Sequence, residues 1–180
     1  MPTDRLSPAE WVNAGLRALA RAGFTALRAD TLAKTLGVSR GSFYWHFADV
    51  QAFHAAVLAR WREVALDNIV AELEGAAGDR LTALIKRAFS ARSNLENAIR
   101  AWAFADADAR AAVDAVDAER VRYLEKLLIE AGVDPASAEM RARILNWSYL
   151  GYSLSSARLE AGELQTIIDH LSALAEQSAS

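Results

Sequence analysis

The sequence predicts an all-α fold of about nine helices with an N-terminal helix-turn-helix head. Three observations carry that expectation. Gly (9) and Pro (3) are scarce while 53% of the residues are hydrophobic, which suits long helices and leaves few turn residues for a many-stranded sheet. Apolar residues recur at helical spacing along most of the chain. Residues 29–36 and 39–47 read as two short helices separated only by Gly37-Val38-Ser39, too tight a turn for antiparallel packing, so the helices must cross steeply.

The elements follow in order. Ser7-Pro8-Ala9-Glu10 reads as a capping box with proline at the first helical position. That helix is expected to run to about Ala22, with Trp11, Leu16, Leu19 and Ala20 inward, Gly23 as stop and Phe24 packing back. In the two-helix turn, Ala33 suits a close approach, Gly37 a positive φ, Val38 the angle between the helices, and Ser39 a cap. A long fourth helix, capped by Asp49, is expected to reach Glu74 and join head to body, ending at Gly75-Ala-Ala-Gly78. Further helices are expected near 79–93, 95–107, 109–131, 135–161 and 163–177, with Asp134-Pro135 opening the eighth and Gly132 and Gly162 as stops. The expected division is 1–50 for the head and 51–180 for the body.

Composition excludes several classes. No cysteine is present, so disulfides and thiolate metal sites are out, and His46, His54 and His170 are too scattered to form a ligand cluster. No metal and no cofactor is expected. The N-terminus lacks an apolar signal core, and the longest apolar stretch, Ile144 to Leu154, is too short for a bilayer, so a cytoplasmic protein without a membrane partner is expected. Gly-x-Gly-x-x-Gly, phosphate-loop and His-Glu-x-x-His patterns are missing, which argues against an enzyme. The net charge of −3 disfavours a general nucleic-acid binder, yet it is uneven. Residues 1–60 carry seven Arg and Lys against four Asp and Glu, and residues 61–180 carry thirteen against nineteen. A basic head on an acidic body fits DNA binding by the head.

On a helical wheel Phe43 and Phe47 share one face of the third helix and would anchor it. An aromatic run of this kind more often marks a core, but the turn before it aims Gly41, Ser42, Tyr44 and Trp45 outward. An exposed Tyr-Trp pair calls for a partner, and a major groove supplies one. Arg40 could pair with a guanine edge or clamp a phosphate, while Tyr44 and Trp45 could touch thymine methyls and sugar-phosphate. Gly41 would permit close backbone approach, and Ser39, Ser42 and Tyr44 offer hydroxyls to phosphate oxygens. Arg28, beside the positive end of the second helix, is either a phosphate contact or a plain surface arginine.

Gly23-Phe24, Leu32-Ala33 and the run from Leu36 to Phe47 (Leu-Gly-Val-Ser-Arg-Gly-Ser-Phe-Tyr-Trp-His-Phe) resemble the head of the tetracycline-repressor (TetR) family of transcriptional regulators. The resemblance covers about residues 8–55; the rest is similar only in helix number and length. It implies DNA contacts by Ser39, Arg40, Ser42, Tyr44, Trp45 and His46. Two positions depart from the family: Arg28 stands where Ser or Thr is usual, and Val50 where Lys is usual. The second removes an expected phosphate contact and would leave affinity more dependent on Arg28 and Arg5. His54 is expected to be a core or surface histidine. A helical scaffold or a small helical enzyme is the alternative reading, but neither accounts for the Arg40 and Trp45 face.

In the body, residues 140–159 are apolar on two sides, with Ile144, Trp147, Gly151 and Leu154 on one stripe and Leu145, Tyr149 and Tyr152 on another. One stripe should pack at home and the other against a second subunit; the sequence does not say which. Leu164, Ile167, Ile168, Leu171 and Leu174 would complete a four-helix homodimer interface. A dimer would set two recognition helices about 34–36 Å apart on a palindromic operator. Trp61, Phe89, Ile99, Trp102, Trp147 and Tyr149 are either cavity lining or ordinary core. As lining, with Arg92, Asn97 or Arg100 as polar anchors, they would suit a small hydrophobic or aromatic effector. Effector binding would tilt the fourth helix, spread the heads and release the operator, as in a repressor.

Overall fold

The computed structural model describes residues 6–75, 78–90, 94–156 and 159–176, with residues 174–176 as backbone only; Arg5, Arg92 and the Leu174 side chain lie outside the described residues. Among the described residues there is no strand, as the all-α expectation requires. The helices are α1 (Pro8–Ala22), α2 (Ala29–Leu36), α3 (Arg40–His46), α4 (Val50–Arg62), α5 (Asn68–Glu74), α6 (Arg80–Ser90), α7 (Asn94–Ala103), α8 (Ala107–Glu130), α9 (Pro135–Leu154) and α10 (Ala161–Glu176). The single fourth helix expected from the sequence is α4 and α5, joined through a π-helical turn, Glu63–Asp67. Among the described residues no helix is long and apolar enough to cross a membrane.

Packing divides the chain into two compact units, Met1–Ala65 with Asn94–Asp114, and Leu66–Ser93 with Ala115–Ser180. The boundary between Ala65 and Leu66 falls inside the π turn, a wide turn of the kind often found at functional positions. These units are drawn by packing, whereas the expected division at residue 50 is one of role.

In the first unit, the Ser7 side chain accepts from the Glu10 backbone N–H at 3.3 Å and the Glu10 carboxylate accepts from the Ser7 N–H at 2.7 Å. That reciprocal bonding satisfies the first orphan donors of α1 and holds the Glu10 carboxyl below its usual range. Trp11 and Leu19 of α1 are fully buried with Leu27, Leu32, Phe43, Phe53, Val57 and Ile99. At Gly15 an added Cβ would lie 2.8 Å from Phe53 Cζ, so only glycine lets α1 and α4 approach this closely. Phe24 departs from expectation. It opens a 3₁₀ turn, Phe24–Leu27, and its ring stacks on Trp102 of α7 with centroids 4.8 Å apart.

His54 of α4 completes that aromatic group, 5.1 Å from Phe24 and 5.2 Å from Trp102. Burial pushes its imidazole below 6.5, against the opposing pull of a hydrogen bond to the Leu27 backbone and the Asp106 charge. The unfolded chain therefore binds the proton more readily than the folded one. This stabilisation is complete above about pH 6.5 and is lost as pH falls from there through the lower folded-state value. The urea midpoint should drop between pH 7 and 5 more steeply for the parent than for His54→Phe; parallel curves would exclude His54 as a source.

In the second unit, Leu81, Ile85 and Phe89 of α6 bury against Leu124, Leu127 and Leu128 of α8, Ala138, Ala142 and Leu145 of α9, and Ile168 of α10. Arg87 bonds both carboxylate oxygens of Glu72, at 2.9 and 2.8 Å, and Lys126 meets Glu74 at 2.6 Å. Exposed pairs such as these orient α5 more than they stabilise it.

Candidate nucleic-acid interface

The turn between α2 and α3 is built as its residues dictate. Gly37 takes φ 69° and ψ 25°, a left-handed conformation that a side chain would strain, and its N–H and that of Val38 close on Lys34 O and Ala33 O at 3.3 and 3.0 Å. Ala33 is buried beneath the crossing. Ser39 occupies the cap position of α3 in extended conformation, but its hydroxyl makes no capping bond; its carbonyl accepts from the Ser42 N–H at 3.0 Å instead. The cap expected from the Ser39 side chain is therefore a backbone cap, and the hydroxyl is left for other use.

Phe43 is wholly buried, edge-on to Trp11 at 5.4 Å and to Phe53 at 5.2 Å, and Phe47 is buried beside it. The outer face carries the rest. Trp45 is 70% exposed and Tyr44 43%. Gly41 is exposed and would tolerate a Cβ, whose nearest neighbour would be Ser39 Oγ at 3.7 Å, so the fold itself does not require glycine there. Ser42 is half-buried. His46 is also half-buried, its ring against Phe47 at 6.5 Å and its Nε2 enclosed without a hydrogen-bond partner, which fits packing better than outward contact.

Arg40 is held from two sides. Its Nε lies 3.2 Å from Asp30 Oδ1, its Nη2 donates to the Tyr44 hydroxyl at 3.2 Å, and the guanidinium carbon stands 5.4 Å from the Tyr44 ring centroid. The Tyr44 bond first and the Asp30 charge second make the guanidinium still harder to deprotonate. Nothing in the sequence pattern singles out Asp30. It sits ten positions from Arg40 and looks like an ordinary acidic first-turn residue of α2, which it also is. Arg28 caps α2 in extended conformation, exposed and without a side-chain cap bond. Val50 opens α4 half-buried, and Asp49 accepts from the Ala52 N–H at 2.7 Å.

Trp61, Ile99 and Trp102 are buried in the first unit, Phe89 and Tyr149 belong to the second, and Trp147 is 60% exposed on the outer stripe of α9. Arg100, considered as an anchor, is paired with Glu96 at 2.8 Å, a carboxylate only 2% exposed whose burial no sequence pattern foretells. In the second unit Phe89 stacks on Tyr152 at 5.3 Å and stands edge-on to Tyr149 at 6.4 Å, with Arg120 over the Tyr149 ring. A separate open cleft of about 570 Å³ is lined by Leu66, Val70, Tyr123, Asp67, Glu119 and Arg122 among others, none of them expected.

On α9 the two stripes are resolved. Leu145 is buried and Tyr149 and Tyr152 pack against the core, while Met140, Ile144, Trp147, Gly151 and Leu154 are exposed. Of the interface residues expected on α10, Ile168 is buried in its own unit's core and Leu164 and Leu171 pack against that core, because α10 lies on α6; Ile167 is half-buried.

Residues 12–57 match the family model described as bacterial regulatory proteins, tetR family. No curated protein matches the chain. Among solved structures, a putative transcriptional regulator from Saccharomonospora viridis in complex with choline is similar at TM-score 0.71 and 18% identity, covering 94% of this chain and 95% of that one. A putative TetR-family transcriptional regulator from Rhodococcus sp. is similar at TM-score 0.69 and 21% identity, covering 97% and 98%. The multidrug binding protein EbrR complexed with imidazole is similar at TM-score 0.59 and 22% identity, covering 91% and 93%. The head, residues 12–57, thus matches the tetR family model, and the chain shares its fold over nearly its whole length with structures described as transcriptional regulators.

Proposed function

We propose that the chain is a ligand-responsive repressor that binds palindromic operator DNA as a homodimer in the cytoplasm, with 1–50 as the DNA-binding domain and 51–180 as the sensing and dimerisation domain. One observation carries this reading: α3 buries Phe43 and Phe47 on one side while Arg40, Tyr44 and Trp45 stand on the other. A groove of bases and phosphates matches that chemistry. Arg40 reads or clamps, Tyr44 and Trp45 supply apolar contact, and Arg28, Ser39 and Ser42 bond phosphate, with Gly41 letting the backbone close in and His46 supporting from beneath.

The exposed row on α9 supports pairing with a second copy through Ile144, Trp147, Gly151 and Leu154. For the effector, the aromatic group of Phe89 and Tyr149 with Tyr152 is the better half of the expected lining, and it suits a small hydrophobic or aromatic molecule. The similar structures with choline and imidazole add weight to a small organic effector.

The test is selection of bound duplexes from a random pool with the full-length protein, then a screen for small molecules that release the selected DNA. A palindromic consensus is expected. Purified protein that retains no duplex even at low salt, where phosphate contacts are strongest, would overturn the reading.

A further inference from the structure

Asp30 places a negative charge on the face that would approach a polyanion. The fold gains little from it, because the Asp30 and Arg40 side chains are 69% and 62% exposed and such pairs contribute little to stability. Near phosphates a carboxylate would even cost affinity. What the pair supplies is geometry. A guanidinium on a free side chain samples many rotamers, and fixing it during recognition costs affinity that prior fixing avoids. Arg40 is fixed beforehand: Asp30 Oδ1 stands 3.2 Å from Nε, and Tyr44 takes one N–H of Nη2 at 3.2 Å while its ring lies beneath the guanidinium carbon. The donors left are the Nη1 amino group and the second N–H of Nη2. Two donors at the tip of a planar fork match the O6 and N7 acceptors that guanine shows in the major groove.

We propose that Asp30 is a positioning residue that holds Arg40 as a reader of one guanine in each half-site, and so helps set operator sequence. This rests on the DNA-binding reading above. A clamp on phosphate would need no such bracing, since the backbone is charged wherever the arginine lands.

The test takes the duplex selected by the parent and measures binding by fluorescence anisotropy at one fixed salt concentration. Parent, Asp30→Ala, Asp30→Asn and Arg40→Ala are each titrated with that duplex, with duplexes changed at single guanines, and with an unrelated duplex, after thermal melting confirms an intact fold. Asp30→Ala should lose about tenfold or more of the parent's discrimination at the same guanine where Arg40→Ala loses it. Affinity for the unrelated duplex should hold or rise, because a negative charge has been removed. Asp30→Asn should fall between. Full discrimination retained by Asp30→Ala, or an equal change on every duplex, would overturn the positioning role while leaving DNA binding intact. A parent that selects no duplex would instead take down the DNA-binding reading itself, and this inference with it.

Discussion

Trp147→Asp is expected to yield a folded monomer that no longer holds operator DNA at concentrations where the parent binds. Met140, Ile144, Trp147, Gly151 and Leu154 recur at alternating steps of four and three, so they lie on one line along α9. The four large side chains on it are 58%, 49%, 60% and 56% exposed, an apolar row that a single copy of the chain leaves to water. The opposite side is satisfied at home, where Ala138, Ala142 and Leu145 are buried. Two copies related by a twofold axis would bury the row against itself, with Trp147 as the largest anchor. Losing a central aromatic costs about 2 kcal/mol or more, and symmetry counts the loss twice. The dissociation constant should therefore rise about a thousandfold. Aspartate adds a like charge from each side. Because Trp147 takes no part in its own unit's core, thermal stability of the monomeric unit should change little. Sedimentation equilibrium decides the matter: a variant as dimeric as the parent would remove α9 from the interface.

The head is legible in the sequence because its signals are local. The capping box, the glycine at Gly37 and the three-residue turn each fix backbone geometry within a few residues, and the steep crossing of α2 and α3 then follows from chain length alone. The π turn is not legible, since apolar periodicity over residues 50–74 reads the same whether a carbonyl is bonded four or five residues on. Nor is the orientation of α9. A helix apolar on two sides has no single inward stripe, and the choice depends on which neighbours arrive. Bulky apolar residue type alone does not assign a unit: Trp61, Ile99 and Trp102 belong to one and Phe89 and Tyr149 to the other. Glu96 escapes notice because a carboxylate reads as surface unless its partner is known, and Arg100 one turn away is that partner. Asp30 and Arg40 show the same limit at the interface: a pair ten residues apart becomes visible only when the turn between them has folded.

Phe43→Ala and Trp45→Ala, two residues apart on the same short helix, are expected to fail in opposite ways. Phe43 has no exposed surface and meets the rings of Trp11, Phe47 and Phe53 at 5.2 to 5.4 Å. Truncating it leaves a cavity where α1, α3 and α4 converge and should cost about 3–5 kcal/mol. That is a large share of a typical domain's stability of about 5–15 kcal/mol, so the head should melt early and DNA binding should vanish with it. Trp45, 70% exposed, gives up little packing. Its removal should leave the stability within about 0.5 kcal/mol of the parent. Operator affinity should nevertheless fall by about a hundredfold, because an aromatic contact worth about 1–3 kcal/mol is lost from each half-site. Unfolding followed by circular dichroism and binding followed by anisotropy separate the two effects. If Trp45→Ala destabilised the protein as much as Phe43→Ala, the tryptophan would be a packing residue, and the apolar contact of α3 with a groove would fall to Tyr44.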